Sequence, residues 1–219
     1  MFNRSTLLIL MAALAAGLGL WAAQVAFAPL PTAPAAAPGP AVDPASLKTV
    51  RLYPRVRALP AFALQQSDGT PLTPEELQGR WTVVFLGFTH CPDVCPTTLS
   101  ELAQAQKQWA VLAEARRPRV LFVSVDPERD TPEKTGEYAA YFHPETLAAT
   151  APEPALLAFA SSLGLVYLKV AGVDDDYTMD HSTALVVLDP QGRQAGLIRP
   201  PFVPADIAAD LATLARVSP

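Results

Sequence analysis

Trp81-Thr82-Val83-Val84-Phe85-Leu86-Gly87-Phe88 is a near-continuous apolar run, rich in β-branched and aromatic residues. A strand with one wet face would alternate apolar and polar residues; this one does not, so it needs cover on both faces. A second run of the same kind, Arg119–Val125, comes about thirty residues later. Between them Leu99, Leu102, Ala103, Trp109, Ala110 and Ala113 recur at helical spacing, with Gln and Lys on the opposite side. A buried strand, a helix of about five turns and another buried strand make a parallel βαβ unit.

The flanking segments extend this unit in both directions. From about Leu47 the pattern becomes globular, with a short strand at Ala61–Gln66 and a turn at Ser67-Asp68-Gly69-Thr70. Thr131-Pro132-Glu133 starts a helix through about Phe142, with Thr131 as N-cap and Pro132 in the first helical position. A further helix covers Pro154–Leu163 and is closed by Gly164. Val166–Val170 and Ala184–Asp189 read as strands. The turn Asp189-Pro190-Gln191-Gly192 makes the last two strands a hairpin ending near Ile198. Pro204 opens a final helix with Ile207, Ala208, Leu211, Leu214 and Ala215 on one face. The order βαβ, helix, ββα is that of an α/β, thioredoxin-like fold.

The first residues differ in kind. Arg4 precedes an apolar stretch from Leu7 to Ala23, 17 residues long, and Gln24 interrupts it before Val25–Ala28. A spanning helix needs about 20 apolar residues, so residues 1–28 read as a membrane anchor. One basic residue at its start places the N-terminus inside and exports the rest of the chain. Ala26-Phe27-Ala28 also has the small-x-small form of a signal-peptide cleavage site, although the stretch exceeds an h-region of about 7–15 residues. Both readings export the domain. The segment lacks the Arg- and Ser-rich look of a mitochondrial presequence, which favours a bacterial inner membrane with the domain in the periplasm. Residues 29–46 form a linker: Pro29 to Pro44 holds six prolines among small residues, an extended and semi-rigid spacer. Residues 47–219 then form the globular domain. Twenty-one acidic against 16 basic residues give a net charge of −5, and no dense Lys/Arg run appears. The electrostatic footprint of a nucleic-acid binder is missing.

Chemistry concentrates at the end of the first buried strand. The chain has two cysteines, Cys91 and Cys95, spaced C-x-x-x-C where that strand leads into its helix. Such strand ends are where α/β folds place active groups, and a helix N-terminus favours a thiolate. Four-residue spacing puts both sulfurs on one side of a helical turn, stiffened by Pro92 and Pro96. A structural disulfide is the plainest alternative, but it would close a very short loop and constrain the unfolded chain by only about 2 kcal/mol. Redox chemistry and metal binding remain. His181, in Tyr177-Thr178-Met179-Asp180-His181-Ser182-Thr183, immediately precedes the strand Ala184–Asp189. In a thioredoxin fold that strand lies beside the central one, and its start faces the cysteines at the place of the usual cis-proline. A lone histidine is more often a packed or surface residue than a ligand; opposite two thiolates it can complete a two-sulfur, one-nitrogen site suited to Cu(I), and accommodating Cu(II) or zinc.

Three stretches in order carry a resemblance that covers roughly Pro60 to Arg216. Phe88-Thr89-His90-Cys91-Pro92-Asp93-Val94-Cys95-Pro96, then Ser124-Val125-Asp126-Pro127-Glu128-Arg129-Asp130-Thr131-Pro132, then Asp180-His181-Ser182 resemble the signature of the Sco/SenC copper chaperones. The resemblance implies that Cys91, Cys95 and His181 bind copper. It implies a role in metallating the dinuclear copper site of cytochrome c oxidase subunit II, by copper transfer, by reduction of that site's disulfide, or both. Other copper chaperones and thioredoxin-like reductants would be further partners. The chain departs from the family at Thr150-Ala151-Pro152-Glu153-Pro154, where a Gly-containing loop is expected.

Neighbouring residues invite weaker readings. Strand alternation turns His90 away from its neighbour Cys91, so it reads as a non-ligand. Met179 reads as packing, although its sulfur is soft. Asp180 either orients His181 or caps the loop. Asp126 and Asp130 fit a capped turn at least as well as partner recognition, and His143 reads as a surface residue. The rival function is a periplasmic thiol-disulfide oxidoreductase exchanging Cys91 and Cys95, and a copper-dependent redox sensor would use the same site. A peroxiredoxin-type peroxidase wants Thr or Ser three residues before its reactive cysteine; Phe88 and Pro92 stand there instead.

Overall fold

The computed structural model describes residues 42–172 and 176–217, together with Asn3, Leu8, Met11, residues 14–18 and Trp21. The chain divides into two units, residues 1–36 and 37–219. In the first, Leu8, Met11, residues 14–18 and Trp21 are helical and exposed. No helix among the described residues is long and apolar enough to cross a membrane. Most of the expected anchor, and of the proline-rich linker after it, lies outside the described residues.

The second unit is built on an eight-stranded mixed sheet. Its strands are β1 (Arg51–Arg57), β2 (Leu64–Gln66), β3 (Pro71–Leu72), β4 (Thr82–Gly87), β5 (Arg119–Ser124), β6 (Leu147–Thr150), β9 (Leu185–Leu188) and β10 (Gln194–Ile198). Their order is β1-β10-β9-β4-β5-β6-β2-β3. Every residue of β4 and β5 is buried, as their unbroken apolar runs require, and the two pair in parallel from Thr82↔Arg119 to Gly87↔Ser124. On its other side β4 pairs antiparallel with β9. The expected βαβ unit and C-terminal hairpin are both present.

Among the described residues four α-helices flank the sheet: α1 (Val94–Trp109), α2 (Pro132–Phe142), α3 (Glu153–Ser162) and α4 (Pro204–Val217). α1 buries Cys95, Leu99, Leu102, Ala103, Gln106 and Trp109 along one stripe, and the Trp109 indole N–H donates to the Ala208 carbonyl at 3.1 Å, joining α1 to α4. Thr131 caps α2 by accepting from the Lys134 N–H, with Pro132 at the first helical position. Gly164 closes α3 at φ +71°, a left-handed conformation costly for a side chain with Cβ. The α4 residues expected on one face, Ile207, Ala208, Leu211, Leu214 and Ala215, are all buried. Asp210 of that helix, buried, accepts from the backbone N–H groups of Lys48, Thr49 and Val50 at 3.1, 2.7 and 2.9 Å, fastening the start of the domain.

Several elements differ from the sequence reading. β6 joins the sheet in parallel beside β5, because Ala148 and Ala149 are small enough to lie under α2. The expected strand Val166–Val170 does not belong to the sheet: β7 (Tyr167–Ala171) pairs only with β8 (Tyr177–His181), as a separate antiparallel ribbon. The departing loop is short, since Thr150 ends β6 and Pro152 stands at the N-cap of α3. The result is a mixed α/β, thioredoxin-like domain with a ribbon inserted just before β9.

Candidate metal centre

Cys91, Cys95 and His181 come together: one sulfur or ring-nitrogen atom from each lies within 4.8 Å of the others. Both cysteines are free thiols. Cys91 sits in the loop after β4, half-buried, while Cys95 is the second residue of α1 and is fully buried. The side chain of Asp93, at the N-cap, makes no capping bond. The orphan N–H of Cys95 donates to the Cys91 sulfur at 3.3 Å instead, so one candidate ligand occupies the place of a capping oxygen.

Two features fix the other ligands. A Cβ built on Gly87 would stand 2.9 Å from the Cys95 sulfur and 2.8 Å from Phe122 Cε2, so the absence of a side chain there makes room for the sulfur. The His181 ring is met edge-on by Phe85 and Phe88, with centroids 6.0 and 6.1 Å away. Its Nδ1 lies 3.1 Å from the Ser182 carbonyl. A carbonyl only accepts, so Nδ1 carries the proton and Nε2 keeps its lone pair. That nitrogen lies 3.6 Å from the Cys95 sulfur. Metal–sulfur and metal–imidazole bonds of about 2.3 and 2.0 Å meeting near the tetrahedral angle span about 3.5 Å. The donor set fits a soft or borderline metal ion.

Burial sets the protonation of the metal-free site. It pushes the Cys95 thiol well above its ordinary range, only partly offset by the Phe88 backbone, with Cys91 and Asp130 adding to the rise. Burial thus works against the thiolate that the helix N-terminus favours at Cys95. His181 is shifted down, chiefly by burial, against the opposing pull of the Ser182 carbonyl and Asp180. It is therefore neutral and ligand-competent at pH 7.

The remaining residues sort themselves by contact. His90 is turned from the sulfurs, its Nδ1 3.1 Å from Thr89 Oγ1 and 3.6 Å from Asp130. Met179 is buried in the ribbon. Asp180 is exposed, and the role of orienting His181 falls to the Ser182 carbonyl, which no side-chain motif could have announced. Asp126 and Asp130 hold structure: Asp130 accepts from the Thr89 N–H and hydroxyl and from Ser124, and Asp126 from Arg129 and Tyr177. His143 caps its own turn by accepting from the Glu145 N–H at 3.2 Å. Gly87 escaped the sequence reading, although a lone glycine among bulky strand residues, just before a cysteine motif, signals a close approach.

Residues 53–216 match the model of the SCO1/SenC family. The mitochondrial SCO1 homologue 1 of Arabidopsis thaliana is 38% identical over 132 residues, covering 59% of this chain and 39% of its own; the chain thus spans less than half of that longer relative. The copper-bound crystal structure of Arabidopsis thaliana ScoI superposes with a TM-score of 0.67 at 31% identity, covering 72% of this chain and 98% of that one. Copper-bound Bradyrhizobium japonicum ScoI gives 0.65 at 33% identity, covering 71% and 98%. With the family model spanning the folded unit and the same architecture in these relatives, the chain belongs to the SCO1/SenC family.

Proposed function

We propose that this chain carries copper on Cys91, Cys95 and His181, and that it serves metallation of the dinuclear copper site of cytochrome c oxidase subunit II. The observation that carries the reading is the pinned imidazole, with Nε2 aimed at the Cys95 sulfur from 3.6 Å and Cys91 beside both. Two sulfurs and one imidazole hold Cu(I) and also admit Cu(II). Copper here is cargo. Cys95 holds it from the interior, and half-buried Cys91 and His181 are the ligands an incoming partner can reach. The same pair can act on a partner's disulfide: the Cys91 thiolate attacks one sulfur, the Cys95 thiol loses its proton and resolves the mixed disulfide, and two electrons and two protons pass to the partner. Copper transfer, disulfide reduction, or both in turn would prepare the target. Residues 1–28 would anchor the protein in a bacterial inner membrane, residues 29–46 would space the domain from it, and residues 47–219 would work in the periplasm with copper chaperones and thioredoxin-like reductants.

A thiol-disulfide oxidoreductase is the second reading, favoured by the asymmetry between a half-buried Cys91 and a fully buried Cys95. Titration of the reduced domain with copper separates the two. Tight one-to-one binding, with the Cu(II) affinity collapsing in His181→Ala, supports carriage. Weak binding indifferent to His181 would leave only the redox couple.

A further inference from the structure

The ribbon that ends on His181 makes no ladder with the main sheet, so something else must set where the imidazole stands. Residues 177, 179 and 181 alternate to one face of β8: Tyr177 and His181 are half-buried and Met179 is buried, whereas Thr178 and Asp180 are exposed. Tyr177, at the far end of that face, is held from several directions. Its hydroxyl donates to Asp126 at 2.7 Å, and its backbone carbonyl accepts from Arg129 Nη1 at 3.0 Å. The Arg129 guanidinium lies 3.7 Å from its ring centroid and the Lys169 ammonium 3.8 Å. Lys169 is in turn paired to Glu128 at 2.7 Å, and Arg129 to Asp126 at 2.6 Å.

All the body-side partners belong to one turn, residues 126–130, closed by the Asp130 N–H donating to the Asp126 carbonyl at 2.9 Å. The other end of this turn grips the cysteine loop, since Asp130 accepts from the Thr89 N–H at 2.8 Å and from its hydroxyl. One five-residue turn therefore touches both halves of the metal centre: the ribbon carrying His181 and the loop carrying Cys91.

We infer that Tyr177, clamped by Arg129 and Asp126, is a positioning residue that sets how firmly His181 completes the metal centre. The inference deepens the copper reading and takes its functional meaning from it. When the clamp opens, the ribbon loosens and the imidazole is lost first, while both cysteines stay in place. Two sulfurs still suit Cu(I), whereas Cu(II) depends on the nitrogen, so the clamp governs the two oxidation states unequally. Asp126 itself is buried, but Asp176, paired to Arg129 at 3.3 Å, and Glu128, paired to Lys169, are mostly exposed, where a docking partner can reach them.

The test compares purified full chain with Tyr177→Phe, Tyr177→Ala, Arg129→Ala and Arg129→Lys. A hydrogen bond to a carboxylate and a cation–π pair together support roughly a tenfold effect. Tyr177→Ala and Arg129→Ala should therefore release Cu(II) about tenfold faster or more, with Cu(I) release changed by less than about threefold. Tyr177→Phe, which keeps the ring between the cations, and Arg129→Lys should fall in between. Unchanged release, equal changes for both oxidation states, or Arg129→Lys no better than Arg129→Ala would overturn the inference. Amide hydrogen exchange of the metal-free chain decides the matter independently of copper. Exchange in β7 and β8 should quicken about tenfold in Tyr177→Ala while β4 and β5 hold. Ribbon exchange equal to wild type would overturn the clamp even if copper binds, whereas failure of the wild type to bind copper would sink the copper reading and leave this measurement standing.

Discussion

Gly87→Ala adds one methyl at the tightest point of the metal centre. The new Cβ would lie 2.8 Å from Phe122 Cε2, 2.9 Å from the Cys95 sulfur and 3.3 Å from Phe85 Cε1. Carbon contacts settle at about 3.5–4.0 Å, so a neighbour must move by roughly 0.7 Å or more. Phe122 and Phe85 are fully buried in the centre of the sheet and have little room to give. The sulfur ends a short side chain that can turn about one bond, whereas the two rings are locked in the sheet, so it is the sulfur that should be displaced from its 3.6 Å approach to His181 Nε2. Overpacking of this kind costs about 1–3 kcal/mol. For a domain of this size that lowers the melting temperature by about 2–12 °C. A ligand displaced by nearly 1 Å should weaken copper binding by about tenfold or more. Urea unfolding of the metal-free protein and a copper titration measure the two effects. The double variant Gly87→Ala/Cys95→Ala removes the sulfur and should recover part of the stability cost, with a coupling of about 0.5 kcal/mol or more. A Gly87→Ala protein with wild-type urea midpoint and copper affinity would refute the close-approach argument, and strict additivity in the double variant would show that the sulfur is not what the methyl meets.

Burial and hydrogen bonding lead to three more expected outcomes. The Cys95 thiol is shifted up in the folded chain, so the folded state keeps its proton where the unfolded state has begun to lose it; stability should fall as pH rises above the ordinary thiol range, and Cys95→Ala should lose that alkaline component. In the same metal-free protein at neutral pH, iodoacetamide labelling read by mass spectrometry should modify Cys91 at least tenfold faster than fully buried Cys95, and equal labelling would contradict the asymmetry of the site. Asp210→Ala leaves the backbone N–H groups of Lys48, Thr49 and Val50 without their acceptor; it should cost about 2–4 kcal/mol in urea unfolding while leaving copper affinity within about twofold, since the contact is far from the cysteines in the fold.

The order of residues alone specified the centre of the fold and the identity of the candidate ligands. Unbroken apolar runs such as Val83–Leu86 cannot sit at a wet surface, so β4 and β5 had to be interior neighbours with α1 between them. Thr131-Pro132 could only open a helix, and Gly164 could close one, because their backbone preferences are local properties of the residues. The spacing of Cys91 and Cys95 after β4, with His181 ahead of β9, was likewise written in the chain. Packing between distant segments settled everything that depends on neighbours remote in sequence. β6 holds little more than alanine and threonine, and its strand character comes from pairing with β5. The strand near Val166 could not be told from a sheet member, because alternation records how a strand faces its surroundings and not which strand it pairs with. The tautomer of His181 rests on a backbone carbonyl, and the upward shift of the Cys95 thiol on its burial. The turn of residues 126–130 gained its meaning only when the fold set Tyr177 on one end and Thr89 on the other, 51 and 41 residues from their carboxylate partners along the chain.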